Sequence, residues 1–158
     1  MKVTKEIDEL GNIRYYNENK LRHREDGPAI ECASGTKYWY INDKLHREDG
    51  PAVEWANGDK YWYLNGKLHR EDGPAREYAN GDKSWWINGL RHKEDGPAVE
   101  YADGTKAWYI NDKLHREDGP AIQYADGDKQ WWINDIEYSE QDYNNYILRK
   151  RLQKILEL

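Results

Sequence analysis

Phenylalanine is absent from this chain of 158 residues, which has one cysteine, one methionine and five prolines. A lone thiol, Cys32, excludes an intrachain disulfide and fits a reducing compartment. No apolar run reaches the length of a membrane span, and the opening MKVTKEIDELGN has no signal-peptide core, so a cytoplasmic protein is expected. Positive charge is also in deficit: a net charge of −6 argues against a phosphate-backbone partner, whose footprint would be basic. Aliphatic residues are scarce. The 8 Trp and 13 Tyr therefore have to supply most of the buried apolar area.

What is present is a repeat. All five histidines (His23, His46, His69, His92, His115) and all five prolines (Pro28, Pro51, Pro74, Pro97, Pro120) recur every 23 residues without slippage. Leu45 to Lys67, LHREDGPAVEWANGDKYWYLNGK, is a representative stretch. A chain of this kind is an array of one small unit, each unit burying its apolar surface against the next. The expected organisation is one structural domain: a degenerate N-terminal half-repeat over 1–22, five repeats over 23–136, and a C-terminal capping or docking helix over 137–158.

Each unit has two strand-like segments, such as Ala52 to Ala56 and Lys60 to Leu64, around a Gly-containing turn, Asn57-Gly58 here. Such dipeptides supply the positive φ of a tight hairpin. The loop His-Arg-Glu-Asp-Gly-Pro follows, its proline at the exit, where no amide donor is needed. The fold class is all-β: an elongated single-layer antiparallel meander of ~23-residue β-hairpin repeats, roughly a dozen strands, with a C-terminal α-helix. Strand parity puts Trp39, Trp62, Trp85, Trp108 and Trp131 with Ile41, Leu64, Ile87, Ile110 and Ile133 on one face as an apolar spine. Which residues of the other strand join it depends on the turn length, since a one-residue change inverts the match. A two-residue loop would set Val53 and Trp55 beside Trp62, and is preferred. At the C-terminal end, Ser139 with Asp142 resembles a capping box, opening a helix to about Leu156. Tyr143, Tyr146 and Ile147 lie on one side of it, and Leu148, Leu152, Ile155 and Leu156 on another, which suggests two partners.

The unit resembles a variant of the membrane occupation and recognition nexus (MORN) repeat over roughly residues 10–136. Shared are the aromatic strand, Asn65-Gly66-Lys67, His69, the loop glycine Gly73 and a turn such as Ala102-Asp103-Gly104. Tyr61 stands where the main family has glycine, and Glu71-Asp72-Gly73-Pro74 lengthens the loop, as in variants found in bacterial, phage and giant-virus proteins. The resemblance implies an antiparallel sheet serving as an interaction scaffold, without a catalytic residue. The family's lipid binding does not carry over to an acidic chain without a basic strand face. The Tyr-Trp-Tyr…Asn-Gly strand is also similar to choline-binding cell-wall repeats, but those are secreted.

Candidate chemistry is weighed against packing. Five copies of His-(Arg/Lys)-Glu-Asp invite a metal or acid–base role, yet an enzyme needs one site rather than five alike. Loop hydrogen bonds and a solvated ladder of charges explain them without chemistry. Lys60 and its equivalents suggest cross-strand pairs with Glu54 more than a phosphate row. Cys32 replaces an aromatic in a packing column. The best binding candidate is the aromatic face: Tyr38, Tyr40, Tyr61, Tyr63, Arg76 and Trp86. A partner or a second copy is also expected at the helix stripe Leu148, Leu152, Ile155 and Leu156. One column, Tyr38, Tyr61, Ser84, Ala107 and Gln130, turns small or polar in the last three units. Either the helix lies back over those units, or it only caps the last strand. The expected function is non-catalytic protein binding, as a scaffold or as a phage- or virus-encoded factor in a host cytoplasm. The alternative is capture of a small ligand, nucleotide or glycan on the Tyr/Trp row, and a hydrolase ranks third. No cofactor, metal, nucleic acid or membrane is expected as a partner.

Overall fold

The computed structural model describes residues 2–157. Among them, 13 strands form one open antiparallel sheet whose order follows the chain, four further two-stranded sheets accompany it, and Glu140–Leu156 forms the single helix. The chain divides into two compact units, Met1–Leu90 and Arg91–Leu158.

In the first unit the chain opens with a hairpin, Thr4–Ile7 against Ile13–Tyr16, paired Thr4 to Tyr16 and Ile7 to Ile13. Each later repeat contributes a short hairpin to the main sheet, as Val53–Glu54 does with Lys60–Tyr61. After Tyr61 the chain leaves that sheet. The Trp62 amide donates to Ala75 O at 2.8 Å, and its carbonyl accepts from His69 N at 3.1 Å. Tyr63–Leu64 then pairs with Lys67–Leu68 as a second, separate hairpin. Its turn, Asn65-Gly66, has φ of 51° and 81°. Positive φ at both central residues marks a two-residue type I′ turn, which matches strand twist. The Gly66 amide donates to Leu45 O of the preceding repeat at 2.8 Å, so these small hairpins tie one repeat to the next.

The two-residue loop expected at Asn57-Gly58 is not formed. Val53 lies opposite Tyr61 rather than Trp62, and Glu54 opposite Lys60. Trp55 N donates to Asp59 O and Gly58 N to Trp55 O, each at 2.9 Å, so three residues close the turn. Only Gly58 has positive φ, at 97°. Asn57 instead accepts the Asp59 amide on its side chain at 3.1 Å. An Asx-stabilised turn with one left-handed glycine closes a three-residue loop, whereas a two-residue loop would need left-handed geometry at Asn57 as well.

The core of this unit is thin. Ala29, Ala52 and Ala75 are wholly buried, beside Val53 and Leu68. These alanines sit where the loop re-enters the sheet, and their carbonyls accept from the amide of an aromatic residue earlier in the chain: Tyr15 N to Ala29 O, Trp39 N to Ala52 O and Trp62 N to Ala75 O, each at 2.8 Å. Among the described residues no large side chain is fully buried. The tryptophan row is half-buried, so it is a floor rather than a sealed core.

The second unit repeats the pattern with Val99–Glu100 on Lys106–Ala107 and Ile122–Gln123 on Lys129–Ile133. Its last hairpin joins Lys129–Ile133 to Ile136–Tyr138 across Asn134-Asp135. Ser139 caps the helix, its Oγ accepting from Asp142 N at 3.1 Å. Tyr143 and Ile147 pack on Ile133, with Trp131, Tyr138 and Tyr146 around them. The helix therefore caps the last repeat on the Trp131–Ile133 face. It does not lie over Gln130, whose parity is opposite. The small residues of that column answer to their own strand neighbours: Trp86 Nε1 donates to Ser84 Oγ at 2.7 Å, and Trp132 Nε1 to Gln130 Oε1 at 3.4 Å. In both cases the partner is the indole two residues on.

Candidate functional site

The three-residue turn puts Trp55 on the same face as Tyr38 and Tyr61, and a continuous aromatic series results. Ring centroids run from Tyr40 to Tyr38 at 6.3 Å, Tyr38 to Trp55 at 5.8 Å, Trp55 to Tyr61 at 6.3 Å, and Tyr61 to Tyr78 at 5.5 Å. The last three contacts are edge-to-face, the arrangement that ring quadrupoles favour. Arg76 continues the series, its guanidinium carbon 5.2 Å from the Tyr61 ring and 5.1 Å from the Trp86 ring. Its position is held by Val53 and Val99 in neighbouring repeats, so a cation replaces an aliphatic residue. Arg76 Nη1 donates to Tyr78 Oη at 3.4 Å, and Nε has no hydrogen-bond partner among the described residues. Burial, reinforced by the Tyr78 hydroxyl, pushes the Tyr61 phenol up to about 12. It is therefore a hydrogen-bond donor at any physiological pH. Trp55 is 41% exposed and is the most open ring of the series.

Five of the six residues expected at this face, Tyr38, Tyr40, Tyr61, Arg76 and Trp86, are thus brought together. Tyr63 is half-buried outside the ring series. Trp55 and Tyr78 are additions. The wrong turn length hid them, because it assigned the Trp55 column to the opposite face. The helix stripe Leu148, Leu152, Ile155 and Leu156 is exposed, from 51% at Leu152 to 86% at Leu156.

The opposite face carries the repeated loop. Arg47 stacks on Trp39 at 4.2 Å, Nε donates to Asp49 Oδ1 at 2.9 Å, and Nη1 donates to Pro51 O at 3.2 Å and Glu54 Oε1 at 3.1 Å. Arg70 repeats this on Trp62, and Arg24 on Tyr15. A solvated charge ladder was expected here. The arginine is instead three-quarters covered and holds the whole loop. Asp49 bonds that guanidinium, and the bond keeps its carboxyl below the usual range. Lys60 lies opposite Glu54 in register, but the Glu54 carboxylate is taken by Arg47.

The histidines also have a local account. His46 Nδ1 accepts the Asn65 amide and His69 Nδ1 the Asn88 amide, both at 3.1 Å. The ring thereby joins the start of one loop to the type I′ turn of the next repeat. Among the described residues no three His, Cys, Asp or Glu side chains converge to hold a metal ion. Among them, too, no helix is long and apolar enough to cross a membrane.

Fold and faces define a β-hairpin repeat protein with an aromatic surface. No protein-family model matches the chain, and no curated protein matches it.

Proposed function

We propose that the chain is a non-catalytic binding module that engages a partner protein through the aromatic face of its first unit. The observation that carries this is the unbroken series Tyr40, Tyr38, Trp55, Tyr61 and Tyr78, closed by Arg76 at a position that packs an aliphatic residue elsewhere. Tyr, Trp and Arg are the residues that dominate interface energetics, because they offer large, stiff contact area with a polar tip. A contiguous row of half-buried rings with Trp55 open at its centre offers a partner an apolar surface to cover. The resemblance to MORN-type variants of phage and giant-virus proteins supports a scaffold role in a host cytoplasm.

The test is affinity capture followed by titration, comparing the native chain with a Trp55→Ala/Arg76→Ala variant of unchanged melting behaviour. Loss of two central anchors should weaken the complex by about 30-fold or more. Equal capture by both chains would sink the assignment of this face.

A further inference from the structure

The C-terminal helix shows what the other face of the sheet accepts. Over Trp131 and Ile133 it inserts Tyr143 and Ile147. The Tyr143 hydroxyl donates to Arg116 O at 3.1 Å and accepts from Gly119 N at 3.0 Å, so it is read by the backbone of the His115–Pro120 loop. One turn further along, Lys150 pairs with Glu117 on the rim of the same loop.

The first unit contains two grooves with the same floor and the same loop on one side, and the loop of the following repeat, where the end site has the helix, on the other. One, of about 700 Å³, lies over Trp39 and Ile41 behind the Arg24–Gly27 loop. The other, of about 670 Å³, lies over Trp62 behind Arg47–Gly50. The loop atoms that Tyr143 reads have equivalents at Arg24 O and Gly27 N, and at Arg47 O and Gly50 N, which make no hydrogen bond among the described residues. Arg47 covers one face of Trp39, so the space left admits a side chain rather than a backbone. The rims are acidic and exposed: Glu25, Asp26, Glu48 and Asp49. The helix that fills the end site is basic, with Arg149, Lys150, Arg151 and Lys154.

We propose that the grooves over Trp39 and Trp62 are docking sites for a basic amphipathic helix of a partner protein, which inserts a tyrosine, with an aliphatic residue four positions on and a lysine seven positions on. The chain's own Tyr143, Ile147 and Lys150 are the template for that pattern. Neighbouring grooves are two strands apart, ~9.6 Å, and seven helical residues rise ~10.5 Å. Each groove therefore takes its own copy of the pattern, because the seventh position that would reach the next groove is already the lysine that meets the loop rim. This site is independent of the aromatic face, with which it shares no residue.

The probe is a helix-stapled peptide of residues 139–156 added to the full chain, followed by the indole N–H resonances. Signals of Trp39 and Trp62 should shift, with a Kd of about 100 μM or tighter. Glu48 lines both grooves and is exposed, so Glu48→Lys should weaken binding at least tenfold while leaving folding intact. A peptide with Tyr143→Phe should bind several-fold more weakly, and Trp55→Ala in the chain should change nothing. No shift up to millimolar peptide overturns the proposal. So does a shift confined to Trp131, which would mean exchange at the end site alone, or an affinity indifferent to Glu48→Lys. Sedimentation showing a peptide-free dimer with its grooves already filled would assign them to a second copy and overturn it equally.

Discussion

Gly50 illustrates how a single residue is fixed by a contact well outside its own strand. A Cβ there would stand 2.9 Å from Arg47 Cζ, although the glycine has no left-handed backbone to justify it. The guanidinium cannot simply swing aside, because it is stacked on Trp39 and bonded to Asp49, Pro51 and Glu54. Gly50→Ala should therefore cost about 1–2 kcal/mol, the loss of one stacked, bonded arginine. Gly96→Ala, where the same Cβ meets the flexible end of Lys93 at 3.3 Å, should cost distinctly less. Chemical denaturation of the two variants compares them directly, and equal losses would refute the account. The recurrence of His-(Arg/Lys)-Glu-Asp-Gly-Pro is plain in the sequence, but its reason is not. A stack onto an aromatic eight residues upstream exists only after the chain has crossed to the next hairpin. Ala52 was missed for a related cause: burial at a loop re-entry follows no strand period.

At the scale of elements, four of the five loops are carboxylate–guanidinium clasps, and this gives acid stability a sign. Hydrogen bonds and charge from Arg24, Arg47, Arg70 and Arg116 hold Asp26, Asp49, Asp72 and Asp118 below their ordinary value. Asp8, which accepts from Asn12 and Arg14 in the first turn, is held at about 2. A folded value below the unfolded one, ~3.9 for Asp, means the contribution is complete above about pH 4 and fades as pH falls through the folded values. The clasps' contribution should thus be constant from pH 7 to about 5 and decline below about 4. An Asp49→Asn/Asp72→Asn variant should start less stable at pH 6 and lose less on acidification to pH 3. Parallel melting curves for both chains across that range would exclude the clasp as the cause. Element identity was the most legible level. The main-sheet hairpins, capping box and helix followed from period and turn chemistry, but the break of Lys60–Leu64 at Trp62 and the second small hairpin did not. The turn types were a further exception, because Asn57-Gly58 and Asn65-Gly66 are the same dipeptide. One closes three residues through an Asx bond to Asp59, and the other closes two. The difference lies in flanking residues and in Leu45 O, which waits for the Gly66 amide. The candidate face inherited this ambiguity, which explains why Tyr38 and Tyr61 were found and Trp55 was not.

For the whole molecule the consequence is modularity. Three repeat-to-repeat ties of the first unit recur at a fixed interval. Trp62 N reaches Ala75 O, Gly66 N reaches Leu45 O, and Asn65 N reaches His46 Nδ1. None of these three ties depends on a residue found once in the array, so stability is to a first approximation a sum of unit terms and nearest-neighbour terms. Duplicating residues 46–68, inserted in register between Leu68 and His69, should therefore add one complete unit with both of its interfaces. The surface exposed on unfolding scales with chain length, so the denaturant m-value should rise by about one-seventh. The midpoint should not fall, because each new interface copies an existing one. The mass in solution should be that of the lengthened chain in whatever oligomeric state the parent adopts. The C-terminal helix should stay docked, since Tyr143 and Ile147 touch only the last repeat and the loop before it. Hydrogen exchange at the Tyr143 and Ile147 amides reads that directly. A lower midpoint with faster exchange in the helix would show that the cap senses the length of the array, and additivity between neighbours would have to be abandoned.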